Sequence, residues 1–410
     1  MQEVAERTGL PATRRKWYAV PGWWGLLILF LVFLTGISYW IVGPVYAVHR
    51  SLLSLGRNAS SVQREVHSFG GPASAASSIE IYLKMPWVDA DQKCGAADLL
   101  GACEVHGVDP LVLLLGDDDD EVRLRASRAL DNIGKASIPL LLQNASSPNV
   151  LLRRSIASAL GSFKSRDSVV ALCAFLRDDD EVVRNYAITS LTGMRESAMP
   201  CLIQLSRDQE VRVRRSVYVV LRGARNARAM SLFVRGMKDQ DVGIRAMAVR
   251  GVSEFGKGAA PHVPLMVQLV SDEAREVRLG AVLALGRTAA RPKLALPALV
   301  NALNSTDQDV RENAAAAVGS FGADATCAVA ALVSLLNDDA GAIRYNAIVS
   351  LGEIGAAATA SIPHLKRMMN ARVDELDRQA AREALEKIKK AQQEKQAKDK
   401  RPVETPAKPD

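Results

Sequence analysis

The stretch GDDDDEVRLRASRAL, residues 116–130, puts four consecutive aspartates ahead of an arginine and an amphipathic run. Carboxylates this close together could hold a hard cation or share a proton. A calcium loop, however, alternates its acids around a central glycine and closes on a distal glutamate, and DDDDEVR has neither feature. A second candidate, GVSEFGKG (Gly251 to Gly258), falls one residue short of a phosphate-binding P-loop, because Gly258 stands where Ser or Thr would hold magnesium. It also follows a helical pattern where that motif needs a strand. Cys94, Cys103, Cys173, Cys201 and Cys327 are too scattered for paired zinc ligands or a disulfide scaffold, and Cys94 and Cys103 would lie about 13 Å apart along one helix. All five read as small buried residues. No catalytic residue, metal site or cofactor is expected.

The elements that would position these residues follow from composition and period. The chain has 410 residues, 48% hydrophobic and 24% charged, a globular balance, but only 5% aromatic. Abundant Ala, Leu and Val with few rings suggest many small helices stacked closely. A net charge of +7 permits acidic partners or anionic lipid without demanding either, and lacks the dense basic stripe of a nucleic-acid binder.

Trp23 to Val42 is a twenty-residue apolar run, flanked by Trp17, Trp23 and Trp24 on one side and Trp40 on the other. Its length and aromatic flanks predict a single transmembrane helix. Small residues at 45–47 and the TRRKW stretch allow a cleaved or twin-arginine signal as lesser alternatives. Arg14, Arg15 and Lys16 before the span, against Arg50 and Arg57 after it, place the N-terminus in the cytoplasm and the bulk of the chain outside. The predicted organisation is a cytoplasmic segment 1–22, a membrane helix 23–42, a polar linker 43–76, a degenerate capping repeat 77–107, a repeat array 108–389 and a Lys-rich disordered tail 390–410.

The array shows itself as a ladder of arginines: Arg123, Arg153, Arg184, Arg214, Arg245, Arg278, Arg311, Arg344 and Arg378, spaced 30 to 34 residues apart. Self-similarity at this period means an α-solenoid. Each unit holds an apolar run, an acidic turn and an Arg-led run, with apolar and small residues recurring every three or four positions, so each is a helical hairpin. Gly134, Gly161, Gly193, Gly223, Gly256, Gly286, Gly322 and Gly355 read as helix C-caps. Asp sits six residues before the ladder Arg at Asp117, Asp178, Asp208, Asp239, Asp272 and Asp338. Ser147 replaces it before Arg153, and Asp307 and Asp374 stand four residues ahead of Arg311 and Arg378. Lys93, thirty residues before Arg123, marks the capping repeat.

DDDDEVRLRASRALDNIG, DQDVRENAAAAVGSFG and DDAGAIRYNAIVSLGEIG resemble HEAT repeats, particularly the short kind named after phycobilisome lyases. The resemblance covers about residues 108–389 and implies an all-α solenoid in which turn acids and second-helix arginines pair between successive repeats. Asp117 is then one rung, and Asp118, Asp119 and Asp120 a solvated turn that places negative charge at a helix N-terminus. Deoxyhypusine hydroxylase resembles this solenoid and binds iron through His-Glu pairs, but His49, His67, His106, His262 and His364 are each followed by another residue. Bilin lyases share the repeat type without defining a site here, and DNA glycosylases with HEAT-like stacks fit a tethered chain poorly.

A surface remains. In such solenoids the second helices line the concave face, where outward positions read Arg125, Arg128, Arg154, Tyr186, Arg215, Tyr218 and Arg250. Arg and Tyr combine contact area with polar tips, so these residues are the predicted partner-binding set. The predicted function is a membrane-anchored scaffold binding an extended or acidic protein segment. A lyase-like or enzyme-accessory role, or binding of anionic lipid or nucleic acid, is the alternative.

Overall fold

The structure, a computed structural model, describes residues 38–54, 59–370 and 374–399. Among them every regular element is an α-helix or a short 3-10 turn. The chain divides into two compact units, one ending at Ala159 and the other beginning at Leu160.

One repeat of the first unit shows why these helices form. Asp119 caps the helix Asp120–Ile133, its carboxylate accepting from the Glu121 and Val122 N–H groups at 2.9 and 3.1 Å. This satisfies donors that a helix start otherwise leaves open. Val122, Ala126, Ala129 and Leu130 turn inward at three- and four-residue intervals. The helix stops at Gly134, whose φ of 80° suits a residue without Cβ. Helix Ala90–Gly101 packs against it.

In the second unit the later second helices, Val242–Ser253, Arg275–Thr288, Gln308–Gly319, Gly341–Ile354 and Glu375–Asp399, each pack on the next. Their closeness depends on small residues in a fixed register. A Cβ on Gly286 would lie 2.9 Å from the Ala317 Cα, and one on Gly319 2.5 Å from the Ser350 hydroxyl. Both contacts join the eighth position after one ladder Arg to the sixth after the next. Gly101 against Ala129, counted from Lys93 and Arg123, repeats the pattern in the first unit. Gly161 and Gly286 therefore lie inside helices as packing glycines and are not C-caps. The left-handed positions ending those helices are held by Lys164 (φ 45°) and Ala289 (φ 41°).

Several expectations are corrected. No helix among the described residues is long and apolar enough to cross a membrane. The expected span 23–42 falls mostly outside the described residues. Its last five residues open the helix Ser38–Ser54, which runs past 42 and packs on Pro72–Leu83, burying Val48 and Ser51. The single-pass localisation, and the extracytoplasmic placement built on it, are thereby overturned for the described chain.

The stretch 43–76, expected as a polar tether, contributes Ser38–Ser54, Ala59–Ser68 and the start of Pro72–Leu83. Val66, Ala75 and Ala76 are buried, and Ser51 donates to Glu65 at 2.7 Å. Small residues there pack as helices because their neighbours supply the apolar surface. The final helix extends to Asp399, beyond the expected start of the tail at 390. Cys173 and Cys201 are joined as a disulfide with Cα atoms 6.5 Å apart, and Cys327 is exposed, so only Cys94 and Cys103 are free buried thiols.

Candidate functional site

Each repeat builds its turn around the ladder arginine. Arg Nη1 donates to the backbone carbonyl six residues earlier at Asp117, Ser147, Asp178, Asp208, Asp239, Asp272, Ser305 and Asp338. The side chain of that earlier residue in turn accepts from the N–H two positions on, as Asp239 does from Asp241 at 2.9 Å and Ser305 from Asp307 at 3.2 Å. This local turn needs an oxygen, not a charge, so Ser147 and Ser305 can replace aspartate.

The charge does a second job between repeats. Arg214 holds Asp239 through two 2.9 Å hydrogen bonds, Arg245 holds Asp272 at 2.9 and 3.0 Å, and Arg311 holds Asp338 at 2.9 and 3.4 Å. Lys93 meets Asp117 at 2.6 Å, making the capping repeat part of the ladder. Where Ser305 replaces aspartate, Arg278 has, among the described residues, hydrogen bonds only to the carbonyls of Asp272 and Glu273. Asp208 is taken by Arg177, at 2.7 Å, instead of Arg184. In the last repeat the rung shifts: Arg344 reaches Asp377 at 2.8 Å and Asp374 at 3.2 Å, while Arg378 pairs with Glu375.

Burial by itself would raise the Asp239 and Asp272 pKa values, but hydrogen bonds and charge from Arg214 and Arg245, with a backbone N–H each, hold both carboxyls below the usual range. Asp338 behaves the same way against Arg311. In the opening stretch, Asp117 is a turn and a rung, Asp119 the helix cap, and Asp120 the partner of Arg123. Asp118 is exposed. Asp119 and Asp120 do place negative charge at the helix N-terminus, and to that the structure adds the cap made by Asp119 and the ion pair made by Asp120.

The predicted partner-binding residues separate into three kinds. Tyr218 belongs to the core: it is 2% exposed, packs near Phe233, and donates its hydroxyl to the Leu232 carbonyl at 3.1 Å. Burial, then the Asp239 charge, push its pKa up to about 12. Its helix, Val211–Val220, turns that position inward where Gly236 leaves room for the ring. Arg125 and Arg215 are already paired, the first with Asp98 (2.7 Å) and Glu121 (2.9 Å), the second with Asp241 at 2.9 and 2.6 Å. Arg154 is half-buried and also engaged. Arg128, Tyr186 and Arg250 are exposed.

The structure brings Arg125 and Arg128 together. They line a cleft of about 580 Å³ with Asp98, Glu104, Gln63 and Asn132, its floor formed by Gly101, Ala102 and Ala129. Helix spacing places Arg125, Arg128, Ala129 and Asn132 on one face of Asp120–Ile133. Gln63 comes from Ala59–Ser68, a helix that the reading of 43–76 as a tether concealed. Glu104 projects from a residue with φ of 54°. Arg128 has no hydrogen-bond or ion-pair partner among the described residues, whereas the Arg125 guanidinium is fixed by its two carboxylates.

This repeating hairpin matches HEAT repeats over residues 108–192, 169–252, 198–286 and 296–386, about two thirds of the sequence. The chain belongs to the HEAT-repeat family. No curated protein matches this HEAT-repeat chain. Among solved structures, importin beta is similar at 15% identity over 84% of this chain and 55% of its own, with a TM-score of 0.48. Kap95p, in a structure with RanGDP, is similar at 12% identity over 86% of this chain and 55% of its own, with a TM-score of 0.49. An engineered protein is similar at 20% identity over 84% of this chain and 99% of its own, with a TM-score of 0.36. The chain thus spans about half the length of importin beta and Kap95p.

Proposed function

We propose that this HEAT-repeat scaffold binds an acidic protein segment on its second-helix surface, with the Arg125–Arg128 cleft as the main contact. The supporting observation is Arg128: an exposed guanidinium at a cleft wall, without an internal partner, beside an arginine whose own charge is already satisfied. A partner carboxylate docking there gains a charge-assisted hydrogen bond that displaces no existing ion pair. Asp98 and Glu121 hold Arg125 in one orientation, so it forms a rigid wall at little further entropy cost. Glu104 favours a donor from the partner, which fixes the segment's register. Tyr186 and Arg250, exposed on their own second helices, offer further contacts within the second unit. The mixed charge favours a protein segment carrying both carboxylates and donors over a uniform polyphosphate.

Fluorescence anisotropy of the full chain with a labelled Glu-rich peptide tests this reading. Arg128→Glu is expected to weaken binding about three- to tenfold, while Lys135→Glu, the same charge change at another exposed position, leaves it nearly unchanged. Equal affinities for the wild type and Arg128→Glu would sink the proposal.

A further inference from the structure

The net charge is concentrated in one stretch of a single repeat's length, running from the turn and second helix of one hairpin into the first helix of the next. Residues 207–239 hold nine Lys and Arg against three Asp and Glu, a surplus of six where the whole chain's is seven. All three acids are engaged: Asp208 by Arg177, Glu210 by Arg212 and Asp239 by Arg214. Five exposed cations, Arg207, Arg222, Arg228, Arg235 and Lys238, have no partner among the described residues. Nothing within this stretch neutralises them.

We infer that the outer face of helix Ala227–Gly236, centred on Arg228 and Arg235, is a docking surface for an acidic protein segment, separate from the cleft at Arg128. The helix buries Ala229, Leu232, Phe233 and Gly236, which fixes its other face outward. Arg228 and Arg235 are seven residues apart, so they project from nearly the same side about 10 Å from each other. Ser231 lies exposed between them, and Lys238 follows the helix end. The helix contains no acid, whereas the first helices of the two preceding repeats open with mixed pairs, Arg166 with Asp167 and Arg195 with Glu196. A partner presenting carboxylates two helical turns apart matches this row.

The same surface fits nucleic acid poorly. Tyr218 and Phe233, the aromatic rings of residues 207–239, are both buried, leaving no platform on which bases could stack. A row of two or three cations is also short of the roughly six to ten phosphate contacts of a typical duplex binder.

The test is anisotropy with a labelled helical Glu/Ala peptide, in an Arg128→Glu background so that the cleft does not contribute. Adding Arg228→Glu and Arg235→Glu is expected to weaken peptide binding about tenfold and to flatten its salt dependence. The charge-matched pair Lys293→Glu and Lys366→Glu should change it less than about twofold. Both positions of the test pair are exposed, so thermal melts by circular dichroism should match those of the background protein. Unchanged peptide affinity in the Arg228/Arg235 double variant, or an equal loss in the charge-matched control, overturns the surface. Duplex DNA or phosphatidylserine vesicles binding more tightly than the peptide, with the same dependence on Arg228 and Arg235, overturns the partner class.

Discussion

Replacing Arg245 by alanine separates the two roles of the ladder arginine. The residue is 9% exposed and makes four main contacts: Asp272 at 2.9 and 3.0 Å across the repeat boundary, and the Asp239 and Gln240 carbonyls of its own turn at 3.1 and 2.9 Å. Removing it leaves the Asp272 carboxylate, itself largely buried, with the Ala274 N–H. Breaking a buried pair from one side costs about 3–5 kcal/mol, and since the exposed Glu273 brings water to this one, about 3 kcal/mol is expected. Asp272→Ala leaves Arg245 its two carbonyls and Glu273, so about 2 kcal/mol is expected there. The double variant should fall short of the sum by roughly 1.5 kcal/mol, the coupling of the pair. Urea unfolding followed by circular dichroism measures all three, and hydrogen exchange in Val242–Ser253 and Arg275–Thr288 localises the loss. Additivity within about 0.5 kcal/mol, or a larger loss in Asp272→Ala than in Arg245→Ala, would refute the two-role account.

Ser305→Asp keeps the turn oxygen and restores the missing rung opposite Arg278, so it should raise stability by up to about 1 kcal/mol in the same assay. Ala289→Gly relieves a left-handed residue at a helix end and should gain about 0.5–1 kcal/mol, whereas Gly286→Ala presses a methyl into the Ala317 backbone and should cost about 1–3 kcal/mol. Asp239, Asp272 and Asp338 titrate below their unfolded value of about 3.9, so their stabilisation is complete above that pH and is lost as pH falls through the folded values. Urea midpoints should therefore stay nearly level from about pH 7 to pH 5 and drop below about pH 4, less steeply in Arg245→Ala. Tyr218→Phe should cost about 1 kcal/mol by removing the buried hydrogen bond to the Leu232 carbonyl without altering peptide affinity, while Tyr186→Ala should leave the melting temperature unchanged.

Much of the array was legible because a repeat writes the same physical constraint many times. The Arg period located the second helices, and the Asp offset located the turns. Single positions were less readable. Tyr218 and Tyr186 both stand among the outward positions of their second helices, yet one faces a gap left by Gly236 and the other faces solvent. Periodicity tells which stripe of a helix is apolar, but whether a neighbouring helix leaves room at the stripe's edge depends on residues in the next hairpin. The small residues of 43–76 read as a tether for a related reason: low hydrophobicity within a segment hides the apolar surface that other helices bring to it.

By itself, then, the sequence determined the helical hairpin, its number and period, the aspartate six residues before six of the ladder arginines, and the concentration of charge in residues 207–239. These are local or additive properties that need no knowledge of neighbours. The tertiary structure decided which arginines are free. Arg125 and Arg215 are consumed by carboxylates from adjacent elements, while Arg128, Arg228 and Arg235 have no partner among the described residues. An ion pair is fixed by distance between side chains that the sequence separates by tens of residues. Only the stacking of the helices sets that distance.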